Sequence, residues 1–231
     1  SPEPCRPFDI ARRGISIGEG GGFALLERDG ERGPWLLGFG ESSDAHHMSA
    51  PDPAGAGAES CMRAALADAE LDPAAIAYLN LHGTGTPQNR PSESQILSRI
   101  AGAFGIENWP IAAIKCFVGH TMAAAGGDQL ASTLGVFERG ILPGIATIEA
   151  VAADVERAHL RISPQPLQRS PMDWDAAFLN AKGFGGNNAT ATIASPGIAM
   201  KWLEQRHGRS AIATWQQRNE AVVEQADAWD R

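Results

Sequence analysis

The sequence is short of the features that mark several broad classes of protein. It has three cysteines, Cys5, Cys61 and Cys116, at irregular spacing. They make neither a disulfide framework nor a metal-ligand pattern, which points to a reducing, cytoplasmic setting and to no bound metal. Positive charge is also scarce, with 19 Lys and Arg against 27 Asp and Glu and a net charge of -8. Non-specific nucleic-acid binding needs a basic footprint and is excluded on that ground. No apolar run approaches the roughly 20 residues of a membrane span. The opening Ser1-Pro2-Glu3-Pro4 is neither an initiator methionine nor a signal peptide. The chain is therefore expected to be part of a longer protein.

What is present is an ordinary globular composition, 43% hydrophobic and 20% charged over 231 residues, enough for one sizeable core. Residues 14–27 mix small and apolar types around Gly20-Gly21-Gly22 and are expected to form a strand. A second strand is expected over 35–41, joined to the first by a hairpin-like turn at Asp29-Gly30. Residues 54–70 carry Met62, Ala65, Leu66 and Ala69 at helical spacing and stop before Asp72-Pro73. Short apolar strands follow at 76–81 and 111–114, with a helix over 91–103 between them. The Ala- and Gly-rich stretch 121–140 has one charge, Asp128, in its first three turns, and is expected to be a helix buried inside a layered core. Two last strands, 177–182 and 189–194, flank Gly183-Phe184-Gly185-Gly186, and an amphipathic helical tail runs from Pro196. Alternating strands and helices define a layered α/β class.

Three polar loops each follow an apolar strand. They hold His82, Lys115 with His120, and Phe184. Loops at the carboxyl ends of strands are where sites assemble in open α/β sheets. Either histidine alone is better read as a hydrogen-bonded structural residue. Together, two neutral imidazoles converging on one small group can stabilise an oxygen that gains negative charge. Gly83 and Gly85 let their loop approach a ligand closely, and Thr84 and Thr86 offer hydroxyls. Lys115 follows a buried strand and needs a counter-charge or a depressed pKa; Glu93 is the candidate partner.

The runs His82-Gly83-Thr84-Gly85-Thr86-Pro87 with Glu93, Lys115 with Gly119-His120, and Gly183-Phe184-Gly185-Gly186 with Asn188 resemble the three C-terminal signatures of β-ketoacyl synthases. Arg6-Pro7-Phe8-Asp9 with Gly18-Glu19-Gly20 resembles the region joining the two halves of that family. The resemblance implies a thiolase-like layered α/β/α fold: residues 1–45 as the last strands of the N-terminal half, 46–196 as the C-terminal domain, and 197–231 as a helical extension. It implies a decarboxylative condensation of a malonyl thioester on acyl carrier protein with an acyl thioester, within a homodimer. His82 and His120 would promote decarboxylation and stabilise the enolate. Lys115 would hold the local charge network with Glu93, and Asn188 would support the gate loop. Thr84 and Thr86 would contact the phosphopantetheine arm that carries the substrate. Phe184, within Gly183, Gly185 and Gly186, would be the gate and contribute its N–H to an oxyanion hole. No separate cofactor is implied.

The sequence departs from that pattern in four places. None of Cys5, Cys61 and Cys116 occupies the strand-to-helix elbow where the family keeps its nucleophile, so an N-terminal half bearing that cysteine is expected as a partner. Arg90 stands where an acidic residue is common, and Lys182 where an aromatic precedes the gate. The tail from Pro196 is similar to the C-terminal extension of a long-form class of bacterial synthases, and is expected to pack on its own domain or a dimer mate. A non-catalytic, chain-length-factor-like subunit is the alternative. A thiolase-type relative fits less well, since no cysteine follows Cys116.

Overall fold

The computed structural model describes residues 3–27, 33–48, 50–87 and 89–229, the side chains of Arg90 and Asp227 excepted. The chain runs β1 (Trp35–Ser43), α1 (Ala56–Ala69), β2 (Ile76–Asn80), α2 (Asn89–Phe104), β3 (Trp109–Ala112), α3 (Lys115–Val118) and α4 (Ala125–Arg139). It continues with the short strands β4 (Ile141–Leu142), β5 (Leu160–Arg161) and β6 (Leu167–Gln168), then β7 (Ala176–Gly183), β8 (Asn187–Ala194), α5 (Pro196–His207) and α6 (Arg209–Trp229). A mixed sheet has the order β1-β8-β7-β2-β3-β5. β7, β2, β3 and β5 are mutually parallel, and β8 and β1 are added antiparallel. The parallel strands have the continuous apolar runs that burial on both faces demands.

Two cores hold three layers together. One face packs Met62 of α1 and Ile96 and Ile100 of α2 on Ile76, Ile111 and Phe178 of the sheet. The other packs Val136 and Phe137 of α4 on Tyr78, Leu179 and Ile193. Trp109 is fully buried and donates Nε1–H to Ile76 O at 2.9 Å, so its one polar atom is satisfied inside the apolar layer. Gly38 and Gly40 allow α1 to lie almost on the backbone of β1. A Cβ at Gly40 would sit 2.0 Å from Cys61 O, and one at Gly38 2.3 Å from Ala65 O. The α1-facing threonines of β8 stay polar without penalty, Thr192 donating to Ala65 O at 3.3 Å and Thr190 meeting Cys61 Sγ at 3.2 Å.

Several expectations need correction. Residues 14–27 form no strand; their one ladder contact is an isolated parallel bridge between Ile17 and His120. A strand needs a neighbour to pair with, and here Phe23, Leu25 and Leu26 project into solvent. The turn at Asp29-Gly30 lies outside the described residues. β1, assigned from sequence to the preceding half with the rest of 1–45, instead closes the edge of this sheet against β8. The stretch 121–140 is helical after a single tight turn at Met122–Ala124, but α4 is covered on one side only. Gln129, Thr133, Val136 and Phe137 are buried, whereas Leu134 is exposed and, among the described residues, nothing lies within 4 Å of a Cβ placed at Gly126 or Gly127. The tail forms two helices, as its pattern predicts. Ile198 and Ala199 of α5 pack with Ala194 against Trp35 and Trp202, while α6 leaves most of its length in solvent.

Candidate functional site

Because β2, β3 and β7 are parallel, their carboxyl ends share one edge of the sheet. That places the His82 loop, the Lys115–His120 segment and the Phe184 turn side by side. His82, Thr84, Thr86, His120, Gly183, Phe184, Gly186 and Asn188 line one cavity of about 550 Å³. Lys115, Glu93 and Gly185 do not reach its wall. Asp44 and Lys182 do.

The two imidazoles meet edge to face, with ring centroids 5.4 Å apart. His82 Nδ1 accepts the Lys182 N–H at 3.3 Å, and His120 Nδ1 accepts the Met122 N–H at 3.1 Å. A nitrogen that accepts carries no proton, so each neutral ring keeps its proton on Nε2. Burial, Lys115, His120 and Lys182 push His82 down to about 2. Burial and then Lys115 lower His120 as well. Both rings are thus neutral at physiological pH and act as donors through Nε2.

The N-terminal segment braces both loops, which sequence reading did not foresee. His120 N–H donates to Ser16 O at 2.7 Å, and Gly18 N–H donates back to His120 O at 3.1 Å. Gly14 N–H donates to Gly85 O at 3.0 Å, and Arg12 donates to Thr86 O and Pro87 O at 3.3 and 3.2 Å. Gly85 is glycine because the braces press on it: an added Cβ would fall 2.6 Å from Gly14 O. The segment is itself anchored by buried Asp9, whose carboxylate accepts from the N–H groups of Ala11, Glu149 and Ala150.

Glu93 does not pair with Lys115, contrary to expectation. Its carboxylate, 1% exposed, accepts the Gly83 N–H at 3.2–3.3 Å and the Asn89 amide at 2.5 Å. It is a tether for the His82 loop, at a position where Gly83 adopts φ 54°. Lys115, also 1% exposed, has no hydrogen-bond partner for Nζ among the described residues. Burial lowers its pKa, and Glu93, Cys5 and Asp128 oppose that from a distance. The side chain of Arg90 lies outside the described residues.

The turn between β7 and β8 is built on Gly185 and Gly186, with φ of 87° and 78°, a region that L side chains avoid. Asn188 donates to Asp44 Oδ1 at 2.7 Å and to Gly186 O at 3.2 Å, and the Asp44 N–H donates to Gly186 O at 2.8 Å. The loop after β1 therefore holds the turn, a role no sequence motif signalled. Phe184 itself is 73% exposed. Thr84 and Thr86 are hydrogen-bonded to each other at 3.3 Å.

A mixed sheet whose strand-end loops bring two neutral imidazoles to one cavity defines a layered α/β domain with a candidate site at that sheet edge. Residues 35–149 match the family model "Beta-ketoacyl synthase, C-terminal domain". The β-ketoacyl-[acyl-carrier-protein] synthase FabY of Pseudomonas aeruginosa is 47% identical over 154 residues, 67% of this chain and 24% of that protein. Its crystal structure, that of a noncanonical ketosynthase, superposes with a TM-score of 0.72 at 40% identity, covering 85% of this chain and 31% of the other. The 3-oxoacyl-[acyl-carrier-protein] synthase 2 of Staphylococcus aureus is 35% identical over 193 residues, 80% of this chain and 46% of that protein. A ketosynthase in complex with its chain length factor, ApeO with ApeC from Xenorhabdus doucetiae, matches with a TM-score of 0.70 at 34% identity, over 84% of this chain and 47% of the other. The chain belongs to the β-ketoacyl synthases, of which it carries the C-terminal half in a thiolase-like fold. It spans less than half the length of the curated relatives it matches.

Proposed function

We propose that this chain supplies the decarboxylating half of a β-ketoacyl-acyl-carrier-protein synthase, which condenses a malonyl thioester with an acyl thioester. The observation that carries the reading is the pair of neutral imidazoles on one cavity, each with Nδ1 occupied and its proton on Nε2. Loss of CO2 from malonyl leaves an enolate whose oxygen gains negative charge. Two preorganised N–H donors stabilise that oxygen more than the starting carbonyl, which lowers the barrier without a strong base. In this reading Thr84 and Thr86 receive the phosphopantetheine arm of acyl carrier protein. Phe184 swings at the cavity mouth, where its exposure and the flanking glycines leave room to move, and Asn188 fixes the turn that carries it. Burial first, and then the charge of Lys115, keeps both rings neutral.

The nucleophile is then provided from outside the segment described. Cys5, Cys61 and Cys116 are all buried. Burial pushes Cys116 up to about 11 and raises Cys61 as well. A thiol so suppressed is a poor acyl acceptor, and the chain alone forms no acyl-enzyme. The exposed Phe23, Leu25 and Leu26 and the open side of α4 mark where a cysteine-bearing half would pack, with residues 14–27 joining its sheet and the assembly pairing as a homodimer in the cytoplasm. No helix among the described residues is long and apolar enough to cross a membrane. A non-catalytic, chain-length-factor-like role is the second reading, favoured by the absence of an accessible thiol.

The two readings separate when the chain is assembled with a nucleophile-bearing half and offered malonyl-acyl carrier protein. Release of CO2 that falls about 100-fold or more in His82→Ala and His120→Ala supports the enzyme. Equal rates in wild type and both variants would refute it in favour of the subunit.

A further inference from the structure

Beneath the paired imidazoles, the carbonyl ends of β2 and β7 converge on one side chain of α4. Gln129 is 1% exposed and places Nε2 3.0 Å from Asn80 O, 2.8 Å from Leu81 O and 3.0 Å from Asn180 O. Its backbone carbonyl accepts in turn from Asn80 Nδ2 at 3.2 Å and from the Thr133 hydroxyl at 2.9 Å. Turning the carboxamide over would aim Oε1 at three oxygens, so its surroundings fix which atom faces inward. Two N–H bonds serve three acceptors. One is shared, and the demand for donors is greater than the supply.

These carbonyls are not arbitrary ones. Leu81 O belongs to the peptide whose nitrogen is that of His82. Asn180 lies two residues before Lys182, whose N–H holds His82 Nδ1 at 3.3 Å. Its own side chain is pinned by Thr190 at 3.0 Å. α4, which carries Gln129, follows His120 after the turn at Met122–Ala124. One buried carboxamide thus touches both strands that set His82 and sits on the helix that follows His120.

We infer that Gln129 is a positioning residue: its carboxamide locks the ends of β2 and β7 to α4 and thereby holds the His82 ring against His120 with Nδ1 occupied. The inference rests on the reading of His82 as the donor to the reacting oxygen. Without the amide, three carbonyl dipoles would face one another in a dry interior and the strand ends would separate. Packing volume alone would not serve, because a side chain of the same shape without donors leaves that repulsion in place.

The 231-residue chain can be tested by long-range proton–nitrogen NMR of its imidazoles. In Gln129→Leu and in the near-isosteric Gln129→Glu, the His82 titration should move up by about one pH unit or more towards its ordinary value. His82 Nδ1 should lose the signature of an accepted bond. Unmoved His82 signals in either variant, with wild-type circular dichroism, would overturn the inference. If neither variant folds, the wild-type protein decides. The side-chain amide protons of Gln129 should exchange with solvent about tenfold or more slowly than those of exposed Gln216 and Gln217; equal exchange overturns the clamp. Failure of the functional reading is separate, because it would show as full decarboxylation by His82→Ala in the assembled synthase whatever the Gln129 variants do.

Discussion

His82 and His120 stand edge to face at 5.4 Å, and each holds its Nδ1 against a backbone N–H of a different segment. Neither ring chooses its tautomer. The chain chooses it through Lys182 and Met122, and the two proton-bearing nitrogens are left for whatever enters the cavity. The pair is unequal, since burial, Lys115, His120 and Lys182 hold His82 near 2, whereas only burial and Lys115 lower His120.

Acid should destabilise the chain early. Both histidines have folded pKa values below the ordinary one of about 6.5, so below that pH the unfolded chain binds more protons than the folded one. Stability is therefore retained above about pH 6.5 and lost as pH falls below it, by at most about 1.4 kcal/mol per pH unit for a single site. Asp9, whose carboxylate is held low by backbone N–H groups and Arg6, adds a further loss in stronger acid. Urea titrations between neutral and mildly acidic pH should show a shallower slope in His82→Gln. An identical slope would mean that His82 is not held neutral by the fold.

Replacing Lys115 by Met should stabilise the chain by roughly 1–3 kcal/mol, since an ammonium with no hydrogen-bond partner among the described residues leaves a buried site of similar shape. The same change should impair decarboxylation in the assembled synthase. Chemical denaturation checks the first part; a lower midpoint would show that Lys115 is paired after all.

Glu93→Ala should cost about 2–4 kcal/mol, because the Gly83 N–H and the Asn89 amide would both lose their acceptor inside the core. A loss below about 0.5 kcal/mol by urea denaturation would mean that water replaces the carboxylate at no penalty.

Iodoacetamide at neutral pH should leave all three thiols of the native chain unmodified and label them once urea unfolds it. Burial shields them, and Cys116 is kept protonated. An adduct on native Cys116, found by peptide mass spectrometry, would reopen it as an acyl acceptor.

Much of the architecture was legible in the residues. Met62, Ala65 and Leu66 placed α1 by their spacing, and Asp72-Pro73 ended it. Apolar runs placed β2, β3, β7 and β8, and the last two were seen to flank the glycines around Phe184, where the structure turns with positive φ at Gly185 and Gly186. Harder to read was the stretch 14–27, whose strand-like composition meets no partner strand among the described residues and whose first residues instead brace the site. The stretch 121–140 was read as buried from its composition, but burial depends on what lies opposite, and one side of α4 faces solvent. Glu93 and Lys115 carry opposite charges on neighbouring elements, and charge alone could not tell that the Gly83 N–H and the Asn89 amide would claim the carboxylate first.

The sequence by itself marked the loops that the fold gathers on one cavity, because strand-end glycines, threonines and histidines are legible one segment at a time. Tertiary structure alone decided what each of those residues does within its surroundings. Tautomer, ion pairing and loop bracing depend on donors and acceptors brought from residues tens of positions away: Ser16 to His120, Lys182 to His82, Gln129 to three carbonyls at once. In a buried site a polar group takes the partner the packing delivers, and local sequence holds no record of which partner that is.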